Sequence, residues 1–308
     1  RDAPDRPQRG LNLDIARKYY TPAWIEDRLR EMADLKLNQL GLHFSDDQAF
    51  RIESESHPEI VSPEHLTKAE VRGILKLAAS LHITVVAEID SPGHLGAVLK
   101  AHPDLQLRNT QGTPRQGAID ISKPQAAEIV DDLLQDLTEG WLNDRAAVVR
   151  EAEKIPKAWN DGFFSGGTVT ADKGIEVEYW TGKEIGARPP QDYLAEGRKV
   201  VNLNDEFLYY VLGEPNNFVY PTGERIYKQW TPLVLRGTEP VPERYSKQIL
   251  GGRFAVWGDF PNAQTQAQVA DGIRMPLNAV SQKLWDPRKP ELSWAQFKKL
   301  ADEVDATS

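Results

Sequence analysis

The chain has no cysteine, which excludes disulfides, thiolate nucleophiles and cysteine-ligated zinc but leaves the compartment open. It has no apolar run near the roughly 20 residues that a membrane-spanning helix needs. No G-x-S-x-G elbow is present, so a Ser-His-Asp hydrolase of that type is not expected. No glycine-rich phosphate loop follows a strand, which speaks against a dinucleotide-binding fold. Positive charge is the minority: 37 Lys and Arg stand against 46 Asp and Glu, a net charge of −9, which argues against a nucleic acid or an anionic membrane as partner. No signal peptide is recognisable and Arg1 is not a natural start, so the chain reads as mature or trimmed. Repeats, low-complexity tracts and linkers are also lacking, and residues 1–308 read as one domain.

With 40% hydrophobic and 27% charged residues the composition is that of an ordinary globular protein. Ile83–His94 (ITVVAEIDSPGH) is the most informative stretch. Its β-branched start predicts a buried strand. That strand delivers Glu88 and Asp90, and Ser91-Pro92-Gly93 ends it just before His94. Gly10–Ala16 reads as a first strand, ending in Asp14 and Arg17, and Leu37–Phe44 as a second, closed by Ser45-Asp46-Asp47-Gln48. Between them Thr21 caps a helix that has Pro22 at its first position, with Ile25, Leu29, Met32 and Leu35 at helical spacing. Thr67 and Glu70 form a capping-box pattern ahead of Val71, Ile74, Leu75 and Ala78. A further helix spans Pro124–Leu137, with Ile129, Val130, Leu133, Leu134 and Leu137 on one side. Later strands are predicted at Lys157–Asp161, Glu176–Trp180, Lys199–Asp205 and Arg253–Asp259, and a closing helix at Gln264–Trp285.

Strands alternating with helices imply βα units and a parallel sheet, here an α/β fold of the (β/α)8 barrel type. The C-terminal strand ends of such a barrel carry the active site, and here they are polar or aromatic. Trp159 with Asp161, Trp180, and Trp257 with Asp259 suggest a pocket in which indole faces meet sugar rings. The competing reading makes these tryptophans core residues. Asp46-Asp47 and Glu88, Asp90 and His94 offer acids and an imidazole for proton transfer. A metal site built from His43, Asp46 or Asp47, Asp90 and His94 is the rival reading. It is disfavoured because all six histidines precede residue 103, whereas barrel metal sites usually also draw on late strands.

Four segments, RGLNLDIAR (Arg9–Arg17), HFSDDQAFRIE (His43–Glu53), VVAEIDSPGH (Val85–His94) and GGRFAVWGD (Gly251–Asp259), closely resemble glycoside hydrolase family 20, in order and over nearly the whole chain. That family contains β-N-acetylhexosaminidases and lacto-N-biosidases. The resemblance implies a retaining, substrate-assisted exo-glycosidase acting on terminal β-linked N-acetylhexosamine or lacto-N-biose, with no metal or organic cofactor, and secretion by analogy with members that act on external glycans. It implies that Arg9 binds sugar hydroxyls at the base of the pocket and that Asp47 and His94 form a relay behind the general acid. Trp159, Trp180 and Trp257 would wall the pocket. Asp259, where many members carry Glu, would accept from distal hydroxyls. Tyr209, or its neighbour Tyr210, would meet the acetamido carbonyl.

The chain departs from the family at one point. The Asp-Glu pair that ends the fourth strand in a His-x-Gly-Gly-Asp-Glu-like motif has no counterpart, and its place, between Leu137 and Trp141, lacks the strand as well. Only seven strands are predicted. Two helical stretches, Pro124–Leu137 and Trp141–Glu153, follow one another directly. Asp205-Glu206 reads as a strand-end cap or a substrate contact rather than a relocated catalytic pair. A missing segment, a shortened protein, or a barrel that binds sugar without cleaving it would each account for the gap. The first two fit better, because removing a central strand opens two edges and is expected to be strongly destabilising.

Overall fold

In the computed structural model, residues 3–139, 155–163, 172–183 and 187–305 are described. Strand β1 (Gln8–Asp14) lies mid-sheet, and its two-residue period sets both faces. Leu11 and Leu13 join the apolar cluster under the helices, while Asn12 and Asp14 turn to the concave side, and all four are fully buried. Strands β2 (Gln39–His43) and β3 (Thr84–Glu88) continue the sheet on one side. On the other side follow β10 (Ile249–Trp257), β8 (Val200–Asn202), β7 (Glu176–Tyr179) and β6 (Lys157–Trp159). All seven are parallel and curl through 248°, an open barrel. Among the described residues these seven are the strands that the sequence predicts. A short β9 (Tyr209–Val211), which the sequence reading omitted, adds to β10.

Each crossover helix forms where its caps and periodicity dictate. Helix α1 (Pro22–Asp34) has the Thr21 side chain accepting from the Trp24 amide and buries Trp24, Ile25, Leu29 and Met32. Helix α2 (Lys68–Ser80) has the full reciprocal capping box of Thr67 and Glu70 and buries Val71, Ile74 and Ala78. After β3 come α3 (Gly96–Ala101), a hairpin of β4 (Gln106–Arg108) and β5 (Pro114–Ile119), and α4 (Pro124–Glu139). Helix α4 buries Ile129 and Leu133 but leaves Leu134 40% exposed, so its apolar face is narrower than expected. Helices α5 (Pro190–Ala195) and α6 (Gly223–Gln229) are short. Helix α7 (Gln266–Trp285) closes the layer behind β10 and β1, and α8 (Trp294–Asp305) packs on α6 and α7. No helix among the described residues is long and apolar enough to cross a membrane.

The sequence predicts a buried third strand, and this needs correction. In β3, Thr84 is exposed and Val85, Val86, Ala87 and Glu88 are only half-buried. The cause is topological, because among the described residues β3 and β6 are the two ends of the sheet path. Between Leu137 and Trp141, helix α4 occupies the chain as far as Glu139. The rest of that gap, and the helix expected over Trp141–Glu153, lie outside the described residues.

Candidate active site

Parallel, in-register pairing sets Asp14, His43 and Glu88 side by side at the C-terminal ends of β1, β2 and β3. Being two residues past Asn12, Gly41 and Val86, all three point into the mouth of the barrel. His43 is bonded at both nitrogens: Nδ1 donates to Glu88 Oε1 at 2.8 Å and Nε2 to Asp46 Oδ2 at 2.8 Å. Burial would lower its pKa, but the Glu88 charge and the two carboxylate hydrogen bonds outweigh this and raise it well above normal. His43 is therefore an imidazolium clamped between two carboxylates.

Asp46 is the hub of this network. Besides His43 it accepts from His94 Nδ1 at 3.1 Å, and it pairs with the Arg17 guanidinium at 2.7 Å. Burial pushes its carboxyl up, yet the hydrogen bonds from His43 and His94 and the Arg17 charge hold it well below the usual carboxylate range. The Asp46 hydrogen bond is also the main cause that lifts His94 to about 9. Arg17 bridges Asp14 and Asp46 and lies over the Trp257 ring at 5.7 Å. Burial opposes its charge, but Asp14 and Asp46 raise its pKa further.

Two residues singled out in the sequence take other places. Asp47 lies within 4.8 Å of His94, but the hydrogen bond of its carboxylate is from the Gly96 amide, at 2.9 Å. It lies so close to Gly117, in the left-handed region at φ +66°, that a Cβ there would come within 2.1 Å of Asp47 Oδ1. Asp46 takes the imidazole instead because Asp46 faces the barrel mouth whereas Asp47 faces the α3–hairpin segment. Arg9 is at the N-terminal end of β1, away from the mouth. Its guanidinium donates to the carbonyls of Lys36 and Arg6, 2.9 and 2.8 Å away. Arg17, at the other end of the same motif, is the arginine of the site. Five strand residues, Gly10–Asp14, lie between the two, about 17 Å of extended chain.

The tryptophans converge. Trp257 is 5.8 Å from Trp159, 5.6 Å from Tyr209 and 5.4 Å from His43, and Trp180 stacks on Tyr209 at 5.5 Å and 3°. Tyr209 is thus the inward tyrosine of the pair. Tyr210 alternates outward, where it hydrogen-bonds Gln264 and stacks on Tyr220. Trp159 donates from Nε1 to Glu88 Oε1 at 2.9 Å, which links the ends of the two edge strands. Burial raises the Asp161 carboxyl, and the Trp180 indole is its hydrogen-bond partner. Asp259, past Gly258 on the exposed rim, is raised by partial desolvation against the pull of Arg17.

Two further carboxyls border the edge of β3. Glu88 is lowered: burial is overcome by the His43 charge and by hydrogen bonds from His43 and Trp159. Asp90, two residues on, is pushed up to about 7 by burial and by the charge of Glu88. Asp205 and Glu206 are occupied by Lys183 at 3.0 and 2.7 Å, which fits a strand-end cap. The sequence reading named neither Arg17 nor Asn160 as a site residue. Asn160 ties the ends of β6 and β7 by accepting from the Trp180 amide at 2.8 Å. The strand-end rule applied to Arg17 would have found it; Asn160 carries no sequence signal. His43, Glu88 and Asp90, and likewise Asp46, Asp47 and His94, offer metal-ligand atoms at close quarters. In the first group, however, both His43 nitrogens bond carboxylates, and in the second Asp46 is already held by the Arg17 cation.

Comparison with known proteins places this geometry. Residues 7–146 match the catalytic domain of glycosyl hydrolase family 20. The chain is 24% identical to a lacto-N-biosidase of Bifidobacterium bifidum, over 98% of this chain and 30% of that protein. It is 23% identical to a chitooligosaccharidolytic β-N-acetylglucosaminidase of Ostrinia furnacalis, over 97% of this chain and 61% of the relative. The chain thus spans only part of these curated relatives. The first alignment is 348 residues long against a chain of 308, so part of the relative's matched domain has no counterpart here. The fold matches a family 20 exo-β-N-acetylglucosaminidase of Vibrio harveyi with a TM-score of 0.76 at 17% identity, over 99% of this chain and 59% of that one. Dispersin B also gives 0.76, at 21% identity, over 90% of this chain and 99% of that one. The matched segment, the relatives aligned along nearly the whole chain and the open parallel barrel agree: residues 7–146 carry the catalytic-domain pattern of glycoside hydrolase family 20, and the barrel as a whole resembles that family's.

Proposed function

We propose that this barrel binds the terminal β-linked N-acetylhexosamine, or lacto-N-biose, of a glycan and hydrolyses the bond with retention. The observation that carries the reading is the aromatic box of Trp159, Trp180, Tyr209 and Trp257 on the same rim as the ionised His43–Asp46–His94–Arg17 network. The indoles cover apolar sugar faces and the Tyr209 hydroxyl meets the acetamido carbonyl. The substrate's own acetamido oxygen attacks the anomeric carbon, an exception to the two-carboxylate scheme. Leaving-group protonation then needs a carboxyl that is still protonated near neutrality. Among the described carboxyls of the rim, burial raises Asp90 (to about 7), Asp161 and Asp259, and we assign the role to Asp90, which shares its strand end with Glu88. Secretion belongs to the same reading and rests on family resemblance alone.

A second reading, a barrel that binds such sugars without cleaving them, is favoured by a specific observation: no Asp-Glu pair stands at the expected place in the sequence, and among the described residues β3 and β6 end the sheet. Three measurements separate the two. Intact mass tests whether the chain is 34.6 kDa. Aryl N-acetyl-β-glucosaminide and aryl lacto-N-bioside turnover tests hydrolysis. Tryptophan fluorescence in N-acetylglucosamine tests binding. Turnover supports the first reading. Quenching without product at the stated mass supports the second, and no response in either assay refutes both.

A further inference from the structure

Away from the barrel mouth the chain makes the same small turn twice. His57-Pro58-Glu59-Ile60 and His102-Pro103-Asp104-Leu105 are both His-Pro-acid-aliphatic, and each forms a single turn of 3-10 helix. The two histidines have nearly the same backbone, φ −131° and ψ 62° against φ −121° and ψ 61°. A following proline restricts each of them, and Ile60 and Leu105, both buried, anchor the turns in the core. The rings meet edge to face, with centroids 5.7 Å apart.

Both rings address one oxygen. Glu59 Oε1 lies 3.0 Å from His57 Nδ1 and 2.8 Å from His102 Nε2. For a tetrahedral ion with bonds of about 2.0–2.1 Å, ligand atoms sit roughly 3.4 Å apart. All three ligand atoms lie within 4.8 Å of one another, and a shift of about 0.5 Å brings each contact to Glu59 to that length. Behind it, Asp132 on α4 lies 3.3 Å from His57 Nε2. An acceptor there keeps the proton on Nε2 and leaves the Nδ1 lone pair for an ion, the arrangement that orients metal-bound imidazoles. The side chains are 17–44% exposed across the three ligands, so an ion can enter and water can fill the fourth position.

We propose that His57, Glu59 and His102, oriented by Asp132, bind one divalent transition-metal ion of the zinc class as a structural clip. The clip joins three segments: the excursion after β2 that follows Asp46 and Asp47, the segment after His94, and α4. The protein already ties the first and last of these at one further point, where Asp136 accepts from the Ser54 and Ser56 hydroxyls and from the amides of residues 55 and 56. The ion ties α3 and the β4–β5 hairpin to the same helix. The inference is independent of the sugar chemistry.

The experiment is titration of the full chain with Co2+, followed by displacement with Zn2+. One Co2+ per chain with the strong visible bands of a tetrahedral site is expected, together with a higher melting temperature in Zn2+. His57→Gln and His102→Gln each remove the bands, and Asp132→Asn weakens binding about 10–100-fold. Circular dichroism of each metal-free variant confirms that it folds. Weak octahedral bands, or binding that survives both histidine substitutions, overturns the site.

Discussion

Asp46→Asn is the most decisive perturbation. Asp46 is 1% exposed and is bonded to His43 and His94 and paired with Arg17. The amide keeps the shape but removes the charge, and its NH2 group turns a donor towards His43 or Arg17. Removing one partner of a buried ion pair costs about 3–5 kcal/mol, mostly because the remaining charges are left uncompensated. The same change removes the main cause of the high His94 pKa, so His94 should fall from about 9 towards the ordinary histidine value. Asp47→Asn is the internal control. It weakens one backbone hydrogen bond, from Gly96, for about 1 kcal/mol, and it leaves His94 unmoved. Urea denaturation gives the stability and NMR titration of the histidines gives the pKa. If Asp47→Asn moves His94 and Asp46→Asn does not, the carboxylate assigned to the imidazole is wrong.

Stability should also follow pH in a defined direction. Asp90 and His94 both have pKa values raised by folding, to about 7 and about 9. Each binds more protons folded than unfolded, so the stability Asp90 contributes is lost as pH rises from about 4 to 7 and that of His94 from about 6.5 to 9. Asp46, lowered by folding, loses its contribution as pH falls below about 4. Denaturation midpoints should therefore peak in weakly acidic buffer, and a maximum at pH 9 would contradict these assignments. Trp257→Ala removes the ring that touches Trp159, Tyr209 and His43. It should cost about 3–5 kcal/mol and abolish ligand quenching of tryptophan fluorescence; quenching of unchanged amplitude would show that sugars bind elsewhere. If the chain turns over aryl substrates, Asp90→Asn should slow those with poor leaving groups at least about 100-fold and nitrophenyl ones less. Equal losses for both would remove Asp90 as proton donor.

Much of the scaffold is legible along the chain. Caps at Thr21 and Thr67, helical spacing and β-branched runs are local signals, and they place α1, α2 and seven parallel strands close to where they lie. The convergence of Trp159, Trp180 and Trp257 follows from them, because parallel strands in a barrel bring their C-terminal ends together. The family resemblance likewise lies in contiguous motifs. What adjacency cannot settle is which of two neighbours faces inward. Asp46 and Asp47, and Tyr209 and Tyr210, are interchangeable in a motif, yet a one-residue step reverses the face. The structure gives the imidazole to Asp46 and the aromatic box to Tyr209. Arg9 and Arg17 lie at opposite ends of β1, and chain order alone puts Arg17 at the C-terminal end that carries the site. The buried ion pair of Arg253 with Glu178 inside the barrel left no mark in the sequence, since its partners come from strands far apart in the chain. The sequence by itself determined most of the elements, the family resemblance and the chemistry available at the rim. Only tertiary structure decided the pairing of charges, because it depends on which distant strands become neighbours.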